Sequence, residues 1–130
     1  MNTKEMVVQV FDELGYKVQE QDNGSLVVSY QMKEMLVLME EDSNYMLLML
    51  PVFHEIKEGE ETIALALCNR VNREMKLVKV YVDQTAETVT AVCEFYYTDK
   101  GSLKNNVDMS LQILGLVRTI YRNMEMECVN

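Results

Sequence analysis

Three thiols, one imidazole and a pair of asparagines on one predicted helix are the groups in this chain with potential chemistry beyond packing. Cys68, Cys93 and Cys128 are an odd number with no CxxC spacing, which suits neither a disulfide framework nor a zinc site. They read as small buried hydrophobes that stay reduced. His54 is the only histidine. One imidazole builds neither a His-based metal cluster nor a catalytic relay, and it reads as an ordinary loop residue. No Gly-rich phosphate loop, GxSxG elbow or HExxH pair occurs. Serines and carboxylates are scattered without a base partner, so no acid–base pair can be named. The expectation is a protein that is not an enzyme and uses no cofactor or metal.

Asn69 and Asn72 sit beside the apolar side of a predicted helix, where Asn is a mediocre helix former. They read as amides that tie off backbone groups near the helix end; a binding role is the alternative. Glu55, Glu58, Glu60 and Glu61 form an acidic patch. It reads as a solvated face, with Glu60 and Glu61 favouring a helix N-terminus, or as a docking surface for a basic partner. Of the 11 methionines, Met32, Met35, Met39, Met46 and Met49 fall in one strand-rich region. Flexible, polarizable side chains fill irregular cores and also line adaptable binding grooves.

The formal charge is −9, from 12 basic and 21 acidic residues. Phosphate backbones and anionic membranes are repelled by such a surface, and no Lys/Arg cluster offsets it. Nucleic acid and membrane are therefore not expected as partners, which leaves proteins, cationic ligands or none. No apolar run approaches the roughly 20 residues of a membrane span. The stretch MNTKEMVVQVFDEL lacks the apolar core of a signal peptide, so the expected compartment is the cytoplasm. Asn23-Gly24-Ser25 matches a glycosylation sequon but reads more simply as a turn.

These residues are positioned by a chain that reads as one domain over residues 1–130. Asn2 or Thr3 caps a helix ending near Leu14 and Gly15. Lys17 to Gln21 is a short extended piece, and strands follow over Ser25–Gln31, Met35–Glu40 and Tyr45–Phe53. The last two are apolar at both parities (MLVLM, YMLLML), as expected of strands covered on each side. Pro51 is expected to close its strand. The charged connection from His54 to Gly59 leads into the central helix, Glu60–Met75. Ile63, Ala64, Leu67, Cys68, Val71 and Met75 share one side of it at about 100° per residue. Leu77–Asp83 and Thr88–Tyr97 form a second hairpin, and Ser102 is the expected cap of a helix from Leu103 to about Met126.

That last helix carries two apolar stripes. Leu103, Val107, Leu111, Leu114, Val117, Tyr121 and Met124 form one, and Met109, Ile113, Leu116 and Ile120 form the second beside it. Together they span roughly 220°, against about 100° for a helix that merely rests on a core. The first stripe seals a sheet. The second marks a partner-binding or dimer interface, the competing reading being that the first helix, also broadly apolar, covers it within one chain.

This element order resembles the fold of type III secretion chaperones, and still more the YbjN-like family of bacterial proteins labelled sensory transduction regulators. The residues that carry the likeness are Val18–Val28 around Asp22-Asn23-Gly24, the segment Cys68-Asn69-Arg70-Val71-Asn72, which is similar to that family's Asn-x-x-Asn helix end, and KLVKVYVD at Lys76–Asp83. The resemblance implies a non-enzymatic, dimeric, protein-binding module. The resulting expectation is an α+β fold with a five-stranded, mainly antiparallel sheet and three helices in the order α-β-β-β-α-β-β-α. The expected function is a chaperone-like or adaptor protein, a homodimer that buries an apolar segment of another protein. The alternative is a regulatory domain with a small ligand between helix and sheet, which a deep closed pocket would favour. From the charge alone, an anisotropy titration against DNA or RNA at low salt is expected to show no binding at micromolar protein. Salt-sensitive binding there would overturn that expectation.

Overall fold

Asn2 starts the first helix with a reciprocal cap. Its side-chain oxygen accepts from the Glu5 N–H at 2.8 Å, and the Glu5 carboxylate accepts from the Asn2 N–H at 3.3 Å. The computed structural model describes residues 2–129. In it α1 runs over Thr3–Glu13 and buries Val7, Val10 and Phe11. The strands are β1 (Val18–Glu20), β2 (Leu26–Tyr30), β3 (Lys33–Met39), β4 (Tyr45–Glu55), β5 (Val78–Val82) and β6 (Thr88–Tyr96). α2 (Glu61–Glu74) lies between β4 and β5, and α3 (Lys100–Val129) follows β6.

The sheet has six strands in the order β1-β2-β3-β4-β6-β5, with every neighbouring pair antiparallel. The expected α+β class with three helices holds, but five strands is a correction to six. Lys17–Gln21 supplies the extra one: Val18 pairs with Val28 and Glu20 with Leu26. Gly24, at φ +88°, makes the turn, and the Asn23 side chain accepts from the Ser25 N–H at 3.1 Å. Three residues are too few to show a period, so the turn rather than the strand carries the signal.

Pro51 does not close its strand. β4 continues to Glu55, and His54 is a strand residue rather than a loop residue. Proline is tolerated because the β3 ladder has already ended at Leu36↔Met49 and the pairing with β6 shifts register between Leu50 and His54. Val52 turns through φ +45° at this bulge, and its N–H donates to Thr90 Oγ1 at 3.3 Å. At the start of α3 the cap is Asp99 rather than Ser102. The Asp99 carboxylate accepts from the Ser102 N–H at 2.7 Å, and Ser102 Oγ accepts in return from the Asp99 N–H at 3.1 Å.

The core lies between one face of the sheet and the helices. Leu26, Val28, Met35, Val37, Met46 and Leu48 point into it from β2, β3 and β4, and Val80, Ala91 and Cys93 do so from β5 and β6. All seven residues of the first α3 stripe are buried there. α1 is tied alongside by Glu13, which pairs with Lys100 and with Lys104, the latter at 3.2 Å. At the other end Arg70 of α2 reaches Glu127 at 2.7 Å. α2 buries Ala64, Leu67, Cys68 and Val71 as expected, whereas Ile63 is exposed, a correction to its placement on the buried side.

Gly115 lets α3 approach β2 closely. A Cβ there would stand 2.8 Å from Tyr30 Cε1, inside any normal contact. Gly115→Ala is therefore expected to lower stability by about 1–3 kcal/mol, as overpacked cores do. The check is a lower urea midpoint at unchanged slope; an unchanged midpoint would mean that the helix and strand are not held this tightly.

Candidate functional site

The sheet's second face is where the architecture departs from what the strand composition demands. Helices cover one face only, so the expectation that β3 and β4 are covered on both sides is corrected. In register across this second face stand Val27, Leu36 and Met49, half-buried, and Val92, buried, one from each of β2, β3, β4 and β6. Leu38 and Leu47 form the next row. Antiparallel sheets open to water normally show polar residues at such positions. Tyr45 and Tyr96 meet edge to face on the same side with ring centroids 5.6 Å apart, and the exposed Tyr81 lies toward the β5 edge. The Tyr45 hydroxyl donates to Glu94, whose other oxygen accepts from Lys79 Nζ at 2.6 Å. The bond to Glu94 holds the Tyr45 phenol up at about 12, and the bonds from Lys79 and Tyr45 hold the Glu94 carboxyl below its ordinary value.

The second α3 stripe is split. Ile113 and Ile120 pack partly against the chain's own core, while Met109 is 41% and Leu116 56% exposed. α1 does not cover them. Its anchors on α3, Lys100 and Lys104, lie roughly 120° or more around the helix from the stripe at about 100° per residue. The residue that sequence reasoning missed is Leu77. It is 55% exposed, has φ +68°, and shares a small crevice with Asn106 and Ser110 on the stripe side of α3. A leucine held in the left-handed region is strained by roughly 1–3 kcal/mol. No periodic signal around it could have revealed this.

The two asparagines separate. Asn72 faces the free edge of β5, where its amide nitrogen donates to the Val80 carbonyl at 3.0 Å and the Val80 N–H donates to its amide oxygen at 2.7 Å. The side chain thus takes the place of a further strand at that residue. Asn69 is exposed on another side of α2.

Burial pushes the Cys68 and Cys93 thiols up to about 11, away from the thiolate form that attacks or binds metal; Cys128 is exposed. His54 Nε2 stands 3.4 Å from Glu125, and its ring packs 4.7 Å from that of Tyr121. The Tyr121 hydroxyl is buried without a hydrogen-bond partner, and burial raises its pKa. His54 lines a cleft of about 580 Å³ with Lys57, Glu60, Ile63 and Arg122. The cleft is open to solvent and mixes both charges. Glu55, Glu58 and Glu61 line another cleft with Glu87, so the predicted acidic patch is divided between two depressions. Among the described residues no three His, Cys, Asp or Glu side chains are grouped to hold a metal ion. No helix among them is long and apolar enough to cross a membrane.

A family model described as "Putative bacterial sensory transduction regulator" matches residues 3–115. The chain belongs to the YbjN family. Its fold is similar to the crystal structure of YbjN from E. coli, with a TM-score of 0.69 at 14% identity over 95% of this chain and 92% of that one. It is also similar to the Yersinia pestis type III secretion chaperone SycH, solved with a stable fragment of YscM2. That match has a TM-score of 0.52 at 12% identity, over 84% of this chain and 97% of SycH. No curated protein is a significant match. At these identities the likenesses show the fold, which in this YbjN-family chain includes the amide-capped sheet edge.

Removing that cap is informative. Asn72→Ala leaves a backbone donor and acceptor unpaired beside a helix and is expected to cost about 1–3 kcal/mol. Hydrogen exchange at the Val80 amide should accelerate with it, whereas Asn69→Ala should stay within about 0.5 kcal/mol of the parent. Unchanged exchange at Val80 would show that the amide bridge is not formed.

Proposed function

We propose that this chain is a non-enzymatic protein-binding module, chaperone-like or adaptor in character, that acts in the cytoplasm as a homodimer and buries an apolar segment of another protein. One observation carries the reading: the fold leaves apolar side chains uncovered on two separate faces. Monomers rarely expose apolar patches beyond a few hundred Å² without using them. The solved complex of SycH with a fragment of YscM2 supports the reading by example, because that chaperone of similar fold holds part of another protein.

The partner segment is assigned to the α3 side, where Met109, Ile113, Leu116 and Ile120 are continued by Leu77. Methionine adapts to several apolar shapes, which suits a surface that receives a segment rather than a rigid domain. Acidic residues on the surrounding surface would set partner choice by charge, and they disfavour nucleic acid and membranes. The small-ligand alternative would use the cleft at His54. Its open, charged lining does not supply the enclosed, mainly apolar pocket that such ligands use.

The test is capture of partners from the native cytoplasm with and without charge on the stripe. Burying one leucine-sized side chain contributes about 1.5–3 kcal/mol, so Leu116→Glu should weaken a captured partner by roughly 10- to 100-fold. Its circular dichroism and melting temperature should stay those of the parent, since the side chain is already exposed. Undiminished capture by Leu116→Glu and by Met109→Lys would remove the stripe from the account.

A further inference from the structure

We infer that the end of β4 left unpaired by β3 is the docking edge for an extended, acidic segment of a partner protein, which joins the sheet there as a further strand. This edge is distinct from the partner surface on α3. β3 pairs with β4 only as far as Leu36↔Met49, yet β4 runs on to Glu55. The Val52 N–H donates toward β6, to Thr90 Oγ1 at 3.3 Å, and the Ile56 N–H donates the same way, to the Glu87 carbonyl at 2.8 Å. Backbone groups alternate in direction along a strand. Phe53 and Glu55 therefore turn theirs to the opposite side, where no strand among the described residues pairs with them.

The opening has a local cause. Pro51 has no N–H to give β3, and the bulge at Val52, with φ +45°, carries β4 aside. A cleft of about 210 Å³ opens between the two strands, walled by Lys33, Glu34, Leu50, Val52, Phe53 and Arg118. Sheet edges are usually short, covered or blocked. The other two edges of this sheet conform, since Asn72 bridges β5 at Val80 and β1 has only three residues. The β4 edge has no such block, and Val52 upon it is 52% exposed.

Charge selects the occupant. The chain carries −9, but this cleft and the adjoining one at His54 hold Lys33, Lys57, Arg118 and Arg122. None of the four makes an ion pair among the described residues. The carboxylates in the two clefts are Glu34, Glu60 and Glu125. Glu125 faces His54 at 3.4 Å, and Glu34 alternates with the buried Met35 and so belongs to the other face of the sheet. Glu55 lines a separate cleft with Glu58 and Glu61. The local balance thus reverses that of the whole chain, and such a recess attracts anionic groups. Arg118 and Arg122 are one helical turn apart, about 6 Å along α3. Alternate side chains of a strand are spaced by roughly 7 Å. Acidic residues at alternate positions of the added strand therefore match both arginines.

Fluorescence anisotropy with the full chain and a short labelled peptide of alternating Glu and Val, a strand-forming pattern, tests the proposal. Binding is expected at micromolar protein and should weaken as salt rises. Arg118→Glu combined with Arg122→Glu, at two exposed positions, should raise the dissociation constant roughly tenfold with unchanged circular dichroism. Lys33→Glu should weaken binding in the same direction and stands in should the double variant fail to fold. The same peptide N-methylated throughout keeps its charges, cannot pair as a strand, and should not bind. Leu116→Glu should bind the peptide as the parent does. No binding by the parent, equal binding of the methylated peptide, or unchanged affinity in the charge-reversed variants would overturn this edge while leaving the α3 surface standing. Loss of binding with Leu116→Glu would move the segment to α3 and overturn it too. Equal binding of a short oligothymidylate would make the recess a general anion site and overturn the acidic segment.

Discussion

β3 and β4 carry apolar side chains toward both faces of the sheet, and the chain has helix enough to cover only one. This imbalance organises the molecule. The inner face is sealed by α3, whose stripe from Leu103 to Met124 lies wholly in the core, with α1 and α2 completing the layer. Every apolar group left over is a consequence of that allocation. Met49 and Leu47 remain outside because Met46 and Leu48 are inside, the two sets being fixed by the alternation of a strand. Met109 and Leu116 remain outside because a helix can turn only one side to the sheet.

The irregular features serve the same layer. Gly115 removes a side chain where α3 crosses Tyr30. The bulge after Leu50 takes in a proline that no interior ladder could accept, with Thr90 supplying the acceptor that Val52 needs. Asn72 closes an edge that would otherwise present an unpaired donor and acceptor to any passing strand. The left-handed leucine at position 77 has no evident role in the layer, and it is exposed beside α3.

How much of this the sequence discloses depends on the range of each interaction. The α3 stripe was legible because seven residues repeat at one period and nothing else explains them. α2 was legible to within a residue at each end, although Ile63 lies at the margin of the apolar side and falls outside the core. β1 was not legible as a strand because three residues have no pattern. Pro51 pointed to a strand end because the bulge that accommodates it is formed with β6, some forty residues later. For the same reason the spacing of Asn69 and Asn72 could suggest a tied-off backbone but not which one bonds or to what, since Val80 meets Asn72 only once β5 has packed against α2. The two-sided apolar strands pointed to a cover on each face, whereas the helices of the fold supply one on the inner face alone.

The chain belongs to the YbjN family, and its fold is similar to that of the secretion chaperone SycH. The central claim is that its exposed apolar faces are covered when the protein works. Its own methionines report on this, because peroxide converts exposed methionine to the sulfoxide while buried methionine is spared. Met32 is 99% exposed and belongs to neither face, Met49 lies on the sheet face, and Met109 lies on the α3 stripe. Peroxide oxidation read residue by residue by mass spectrometry, on the dilute purified chain and in its native cytoplasm, compares the three directly. The account predicts that Met49 and Met109 slow in the cytoplasm relative to Met32. The same relative rates in both conditions would contradict it.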